Sequence, residues 1–338
     1  MAEARLHVIP RFVLQSGQEV RDLGLRYTVH GTLDAGRTNA ILFPTWFAGT
    51  GEANRWIIGP GRGLDTDRFC VIVVDALGNG RSSSPSNHAQ LAQASISLLD
   101  NVRAQQTLVE ALGVKRLHAV VGRSMGAQQA LQWACWFPDA MERVFAFCGT
   151  PATTPHNRLL LDAMAAVLRS PLATEAALEQ AARIYAPWVM SHEFFNERAF
   201  TAEEVETWLR QAILPAFRAF DPRDLLCLVR TWQQADIAQN DRFAGDLRAA
   251  LRAIRARVRL VPISRDLIFP PEDFKMAQQL IPRCSTRTLH STWGHRAGAP
   301  GSLPRDIEFL EDELRDFLAP CGDRSWQLVA RMGTAHPL

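Results

Sequence analysis

Residues Leu117 to Trp136 read LHAVVGRSMGAQQALQWACW. An apolar run, Leu117 to Val121, has the composition of a strand buried on both faces of a parallel sheet. It is interrupted by Gly122-Arg123-Ser124-Met125-Gly126, after which apolar residues recur at Ala127, Ala130, Leu131, Ala134 and Cys135, the spacing of a helix face. A strand that turns sharply into a helix with serine at the turn is the nucleophile-elbow pattern. Small residues are needed there because the two backbones pass close together, so Gly122 and Gly126 leave Ser124 in a strained conformation with its hydroxyl presented. The unpaired N–H groups at the helix start then favour negative charge at the same place.

The rest of the chain extends this unit. Residues 6 to 31 alternate around Ser16-Gly17 and predict an antiparallel hairpin. Asn39 to Phe43 and Cys70 to Val74 read as buried strands, followed by loops rich in small residues, Pro44 to Gly51 and Asp75 to Ser82. Such loops lie at the carboxyl ends of strands, where open α/β sheets bind ligands. Leu98 to Leu112 reads as an amphipathic helix closed by Gly113, and Arg143 to Cys148 as a further strand. The alternation predicts an α/β fold, a mostly parallel sheet covered by helices.

The pattern changes near residue 150. From Thr150 to about Asp246 the periodicity is helical, which predicts a cap inserted into the core, with the core formed by 1–149 and 247–338. Trp188, Phe194, Phe195, Phe200, Trp208, Phe217, Phe220 and Trp232 crowd this insertion; most are expected to pack the cap on itself, the others to line a substrate tunnel. Strands return at Val258 to Ile263 and Thr286 to His290, helices at Pro271 to Leu280 and Arg305 to Leu318, and the last fifteen or so residues read as a loose tail.

Composition narrows the function classes. With 338 residues, 47% hydrophobic, 21% charged and a net charge of +2, the chain has no basic excess for nucleic acid. The arginines at 248, 252, 255, 257 and 259 are expected on a solvated helix face leading into a strand. No apolar run has the length of a membrane span, and MAEARLHVIPRF has no leader-like core. Six scattered cysteines lack zinc-site spacing, so no metal site is expected; reduced thiols in a cytoplasmic protein are.

A serine hydroxyl becomes a nucleophile when a base takes its proton and a third group orients that base. In this fold the partners follow in the order serine, acid, histidine. Asp266 comes just after the Val258–Ile263 strand, and His295 shortly after the next, so Ser124, Asp266 and His295 are the expected triad. Asp75, which also follows a strand, is the second choice of acid. His290 ends a strand pattern, and His88, His156 and His192 fall on loops or the cap. The oxyanion of the tetrahedral intermediate needs two N–H donors. These are expected from Met125 and from Trp46, with Phe47 as the alternative to Trp46.

GRSMGAQQALQWA, FDPRDLL, SRDLIFPPEDF, WGHRAG and GPGRGLDTDRF together resemble the homoserine O-acetyltransferase family of α/β-hydrolase-fold proteins, over about Asn39 to Leu318. The resemblance implies a helical cap, a dimer, the triad Ser124, Asp266 and His295, and acetyl-CoA as co-substrate where the protein is a transferase. It also implies a carboxylate-binding arginine at Arg183. Three positions depart from it. Arg296 stands where the transferases place an acidic residue for the amino group of homoserine, and a cation there repels an ammonium. Met190 replaces a tyrosine, and Arg123 replaces the glycine before the nucleophile. The expected activity is therefore hydrolysis of short-chain, acetate-like esters through an acyl-serine, with no cofactor. CoA-dependent acyl transfer to another alcohol is the alternative, and a non-catalytic binding protein a minor one.

Overall fold

The computed structural model describes residues 3–170, 174–198 and 200–319. Eight strands form the main sheet: β1 (Ala4–Val13), β2 (Glu19–His30), β3 (Ala40–Pro44), β4 (Cys70–Val74), β5 (Leu117–Arg123), β6 (Met141–Phe147), β7 (Arg257–Val261) and β8 (Cys284–Thr286). Their order is β1-β2-β4-β3-β5-β6-β7-β8. The entry hairpin β1–β2 is antiparallel, β2 runs antiparallel to β4, and the remaining pairs are parallel. Parallel central strands are covered on both faces, which is why β3, β4 and β7 are buried at every residue.

Helix α1 (Leu98–Ala111) starts at a capping box in which Ser97 and Asp100 satisfy each other's backbone N–H. Helix α2 (Met125–Trp136) follows Ser124 directly and is buried almost all round. Its glutamines therefore need partners: Gln129 accepts from Gln105 of α1 at 2.7 Å and donates to the Thr45 carbonyl at 3.0 Å, while the Trp133 indole donates to Gln105 at 2.7 Å. These bonds fix α2 against both α1 and the loop after β3.

Between β6 and β7 lie α3 (Pro155–Leu168), α4 (Thr174–Val189), α5 (His192–Arg198), α6 (Ala202–Trp208), α7 (Leu214–Arg218) and α8 (Pro222–Gln233), with a π-turn at Leu209–Ile213 joining α6 to α7. The aromatics of this region divide in two. Phe194, Phe195, Phe200 and Trp208 pack on one another with ring centroids 5.2–6.2 Å apart. Phe217 and Trp232 instead reach Phe47 of the core, at 6.3 and 5.3 Å.

The chain then closes with α9 (Leu247–Arg252), α10 (Lys275–Leu280) and α11 (Pro304–Leu318). Two details differ from the sequence expectation. Arg248 and Arg252 are exposed on α9, but Arg257 and Arg259 are buried on β7. Arg259 lies 5.2 Å from the Phe317 ring of α11 and pairs with Glu313 and Asp316, so helix carboxylates replace the solvent expected there. The expected strand Thr286–His290 is Cys284–Thr286, followed by a single bridge from Leu289 to Ile263. Pro262 has no N–H to continue the ladder, which accounts for the break. The expected tail lies outside the described residues.

The elbow depends on close backbone approach. A Cβ at Gly122 would lie 2.1 Å from the Gly126 carbonyl oxygen, and one at Gly126 would lie 2.7 Å from that of Pro44. Gly122→Ala is therefore expected to lower stability by about 3 kcal/mol, an overpacking cost that only a backbone shift can relieve. Equilibrium urea unfolding measures it; an unchanged midpoint would mean the strand and helix can separate freely.

Candidate active site

Ser124 sits between β5 and α2 with φ 55° and ψ −126°, a conformation that non-glycine residues rarely adopt. The surrounding packing holds it there. Its own N–H donates to the Phe147 carbonyl of β6 at 2.9 Å, and its carbonyl accepts from Ala127 and Gln128 in the first turn of α2. Asp266 lies in the loop after β7. Its Oδ1 accepts the backbone N–H groups of Ile268 and Phe269 at 2.8 and 3.0 Å, which leaves Oδ2 for one further partner. His295 lies in a one-turn 3₁₀ segment, Gly294–Arg296, opened by Gly294 at φ 55°.

These three residues, 171 positions apart at the extremes, meet in one chain of hydrogen bonds. His295 Nδ1 lies 2.7 Å from Asp266 Oδ2, and Nε2 lies 2.8 Å from Ser124 Oγ. A carboxylate only accepts, so Nδ1 carries the proton and Nε2 of the neutral ring is free to accept from the serine hydroxyl. Ser124, Asp266 and His295 are 2%, 3% and 1% exposed. Burial disfavours the imidazolium and the Asp266 carboxylate favours it; with the neighbouring Cys148 the balance raises the His295 pKa above the ordinary histidine value.

The second-choice acid, Asp75, is committed elsewhere. It accepts from Gly51 N–H at 2.9 Å and Asn79 at 3.1 Å, and pairs with Arg26 at 2.9 Å. It thus braces the loop after β3 and is not part of the relay. His156, His192 and His290 are exposed, and His88 bonds the Arg21 carbonyl.

Met125 is the first residue of α2, so its N–H has no acceptor within the helix. Among the described residues, the N–H groups of Trp46 and Phe47 also lack an acceptor. The neighbouring Thr45 is held by its N–H to the Val74 carbonyl at 3.0 Å and by Ala76 N–H to its hydroxyl at 3.0 Å. A fixed loop with free donors is the arrangement an oxyanion requires.

Of the residues expected to contact substrate, Arg183 is engaged elsewhere. Its guanidinium is shared between Glu179, one turn earlier on α4, at 2.8 Å, and Glu206 of α6, at 2.7 Å. These two carboxylates supply the acceptors that a substrate carboxylate would have supplied. Met190 is buried with its backbone against Gly294. Arg296 reaches from the histidine turn to the Ala212 carbonyl at 2.8 Å, joining the core to the helical insertion.

Three residues with contacts at the site had no assigned role in the sequence reading. Cys148, at φ 42°, offers its Sγ within 4.8 Å of ligand atoms of Asp266 and His295. Arg123 donates to the His295 carbonyl at 2.6 Å and lies 5.3 Å from the Trp46 ring. Phe269 lies 5.6 Å from the His295 ring and 5.9 Å from Trp232. The available signal was position: Cys148 is the first residue past β6, at the sheet edge that carries the other site loops.

Comparison with known proteins identifies the fold family. Residues 40–189 match the family model for the alpha/beta hydrolase fold. The chain is 36% identical to an ethyl acetate hydrolase of Pseudomonas veronii, over 90% of this chain and 93% of the relative. The chain belongs to the α/β-hydrolase family. Among solved structures, the acetyl esterase MekB superposes with a TM-score of 0.87 at 34% identity, covering 94% of this chain and 97% of its own. A homoserine O-acetyltransferase of Symbiobacterium thermophilum is 29% identical, over 90% of this chain and 91% of the relative.

Two outcomes follow from the relay. Asp266→Asn is expected to lower kcat by about 10³- to 10⁴-fold, because an amide in place of the carboxylate favours the wrong histidine tautomer. Since only the neutral ring accepts a proton, kcat/KM is expected to rise with pH through a midpoint above about 6.5, the ordinary histidine value. A flat profile from pH 5 to 9 would remove His295 from the role of base.

Proposed function

We propose that the chain is a serine esterase that hydrolyses short-chain, acetate-like carboxylic esters through an acyl-serine intermediate. The observation that carries the proposal is the unbroken relay from Ser124 Oγ through His295 to Asp266. The similarity to an ethyl acetate hydrolase and an acetyl esterase supports the acyl and reaction class.

In the first half-reaction Ser124 Oγ attacks the ester carbonyl as His295 Nε2 takes its proton. Negative charge develops on the carbonyl oxygen, opposite the N–H of Met125 and that of Trp46, with Phe47 as the other possible donor on that loop. The tetrahedral intermediate collapses as the imidazolium gives its proton to the departing alcohol. In the second half-reaction the neutral imidazole removes a proton from water as it attacks the acyl-serine; the imidazolium then returns that proton to Ser124 Oγ as the acyl–oxygen bond breaks, releasing the carboxylic acid and the free serine. Asp266 keeps its negative charge throughout and steadies the imidazolium. Residues 150–246 act as a cap, with Phe217 and Trp232 facing the site across Phe47.

Acetyl-CoA-dependent acylation of an alcohol is the second reading, favoured by the transferase relative and by the shared acyl-serine. Arg296 disfavours homoserine as that alcohol. A homodimer and a cytoplasmic location complete the proposal; in the described residues no helix is long and apolar enough to cross a membrane.

Purified protein should release acid from p-nitrophenyl acetate and ethyl acetate. Ser124→Ala should lower that rate by about 10⁴-fold or more. With acetyl-CoA, free CoA should stay at background with or without homoserine. CoA release that depends on an added alcohol would replace hydrolysis with transfer.

A further inference from the structure

The relay accounts for acyl transfer but leaves two cations beside it without a counter-charge. Arg123 is 6% exposed, and its buried Nε has no hydrogen-bond partner. One Nη donates to the His295 carbonyl at 2.6 Å, and the guanidinium lies against the rings of Trp46 and Phe147, at 5.3 and 5.9 Å. Arg296 leaves the same turn one residue later, and its Nη1 donates to the Ala212 carbonyl at 2.8 Å. Among the described residues neither guanidinium has a carboxylate within 4.0 Å. Elsewhere three shielded arginines have carboxylate partners: Arg259 with Glu313 and Asp316, Arg143 with Glu142, Arg26 with Asp75 and Glu52.

The nearby Asp266 cannot serve both cations. Its oxygens are taken by two backbone N–H groups and by His295. Two guanidiniums against one carboxylate leave the site with a formal excess of one positive charge. Burial, and then repulsion from Arg123, lower the Arg296 pKa from the ordinary arginine value, yet arginine stays charged in proteins. Tyr185 adds a donor. Its ring lies 5.8 Å from Phe47 and 5.5 Å from Phe217, and its hydroxyl has no hydrogen-bond partner among the described residues. Shielded charge without a partner is costly unless a ligand supplies one, and the planar guanidinium fork matches a carboxylate.

We propose that Arg296, backed by Arg123, makes this an esterase for anionic substrates: esters that carry an ionised carboxylate besides the scissile group. Hemi-esters of dicarboxylic acids and O-acetylated hydroxy acids are the two chemical forms. The proposal rests on the esterase reading above and narrows its substrate class. It gives Arg296 a positive role, beyond repelling an ammonium.

The test compares kcat/KM for matched pairs, monoethyl succinate against ethyl butyrate and acetoxyacetate against propyl acetate, in the wild type, Arg296→Gln and Arg296→Lys. The wild type should prefer the anionic member of at least one pair by about 10- to 100-fold, the worth of one charge-assisted hydrogen bond. The preference should weaken as salt is raised. It should vanish in Arg296→Gln and persist in part in Arg296→Lys. Hydrolysis of the neutral esters with equal or greater efficiency in both pairs would overturn the proposal and leave the esterase reading intact. Calorimetric titration of Ser124→Ala protein with monoethyl succinate, with and without Arg296→Gln, separates the two failures. Binding that needs Arg296 supports the anion site even if no ester is turned over; no binding together with no preference sinks it.

Discussion

Everything at the site depends on how closely β5 and α2 approach each other. The Gly126 carbonyl occupies the place where a side chain at residue 122 would begin, and the Pro44 carbonyl does the same at residue 126. That proximity leaves the residue between strand and helix only a strained conformation, and it brings the loop after β3 to the start of α2. Ser124 and the free N–H groups of Met125 and of the loop after β3 are therefore positioned by one packing constraint. The buried glutamines of α2 reinforce it, since Gln129 holds the Thr45 carbonyl and Gln105 at once. Strain at Ser124, on the order of 1–3 kcal/mol, is carried by the surrounding core.

Much of this was legible in the sequence because it is local. An apolar run, a glycine-flanked serine and a helical repeat lie within twenty residues, and their order dictates the elbow. Asp266 and His295 were legible by their order in the chain and their positions after strands. The roles of the arginines were not. The family resemblance implies a ligand role for Arg183, but whether a helix arginine meets substrate or a glutamate depends on where Glu206 falls in space, and no local pattern encodes that. Arg257 and Arg259 look solvated because five arginines recur over twelve residues; α11 supplies the carboxylates of Arg259 from more than fifty residues away. The composition of the segment around Leu289 suits a strand, while the missing N–H of Pro262 acts from just past the end of β7. Long-range pairing decides these cases, and sequence periodicity carries no record of it.

The electrostatics of the site divide into two layers. The inner layer, Ser124, His295 and Asp266, is satisfied within itself: every carboxylate oxygen of Asp266 has a donor, and each ring nitrogen of His295 has a partner. In the outer layer Arg123 and Arg296 bond only main-chain carbonyls, and among the described residues neither has a carboxylate and the Tyr185 hydroxyl has no partner. On the proposed reading, the inner layer carries the chemistry and the outer layer selects the substrate, because a shielded donor without an acceptor discriminates strongly among ligands.

The grip of Arg123 on the histidine turn is a grip on main chain. It holds the carbonyl of His295 and makes no demand on the side chain that follows. That bond to the His295 main chain does not itself depend on which side chain stands at position 296. In a protein built this way, the choice of substrate and the power to cleave it are separable properties, and a lineage could revise the first by single replacements without first losing the second.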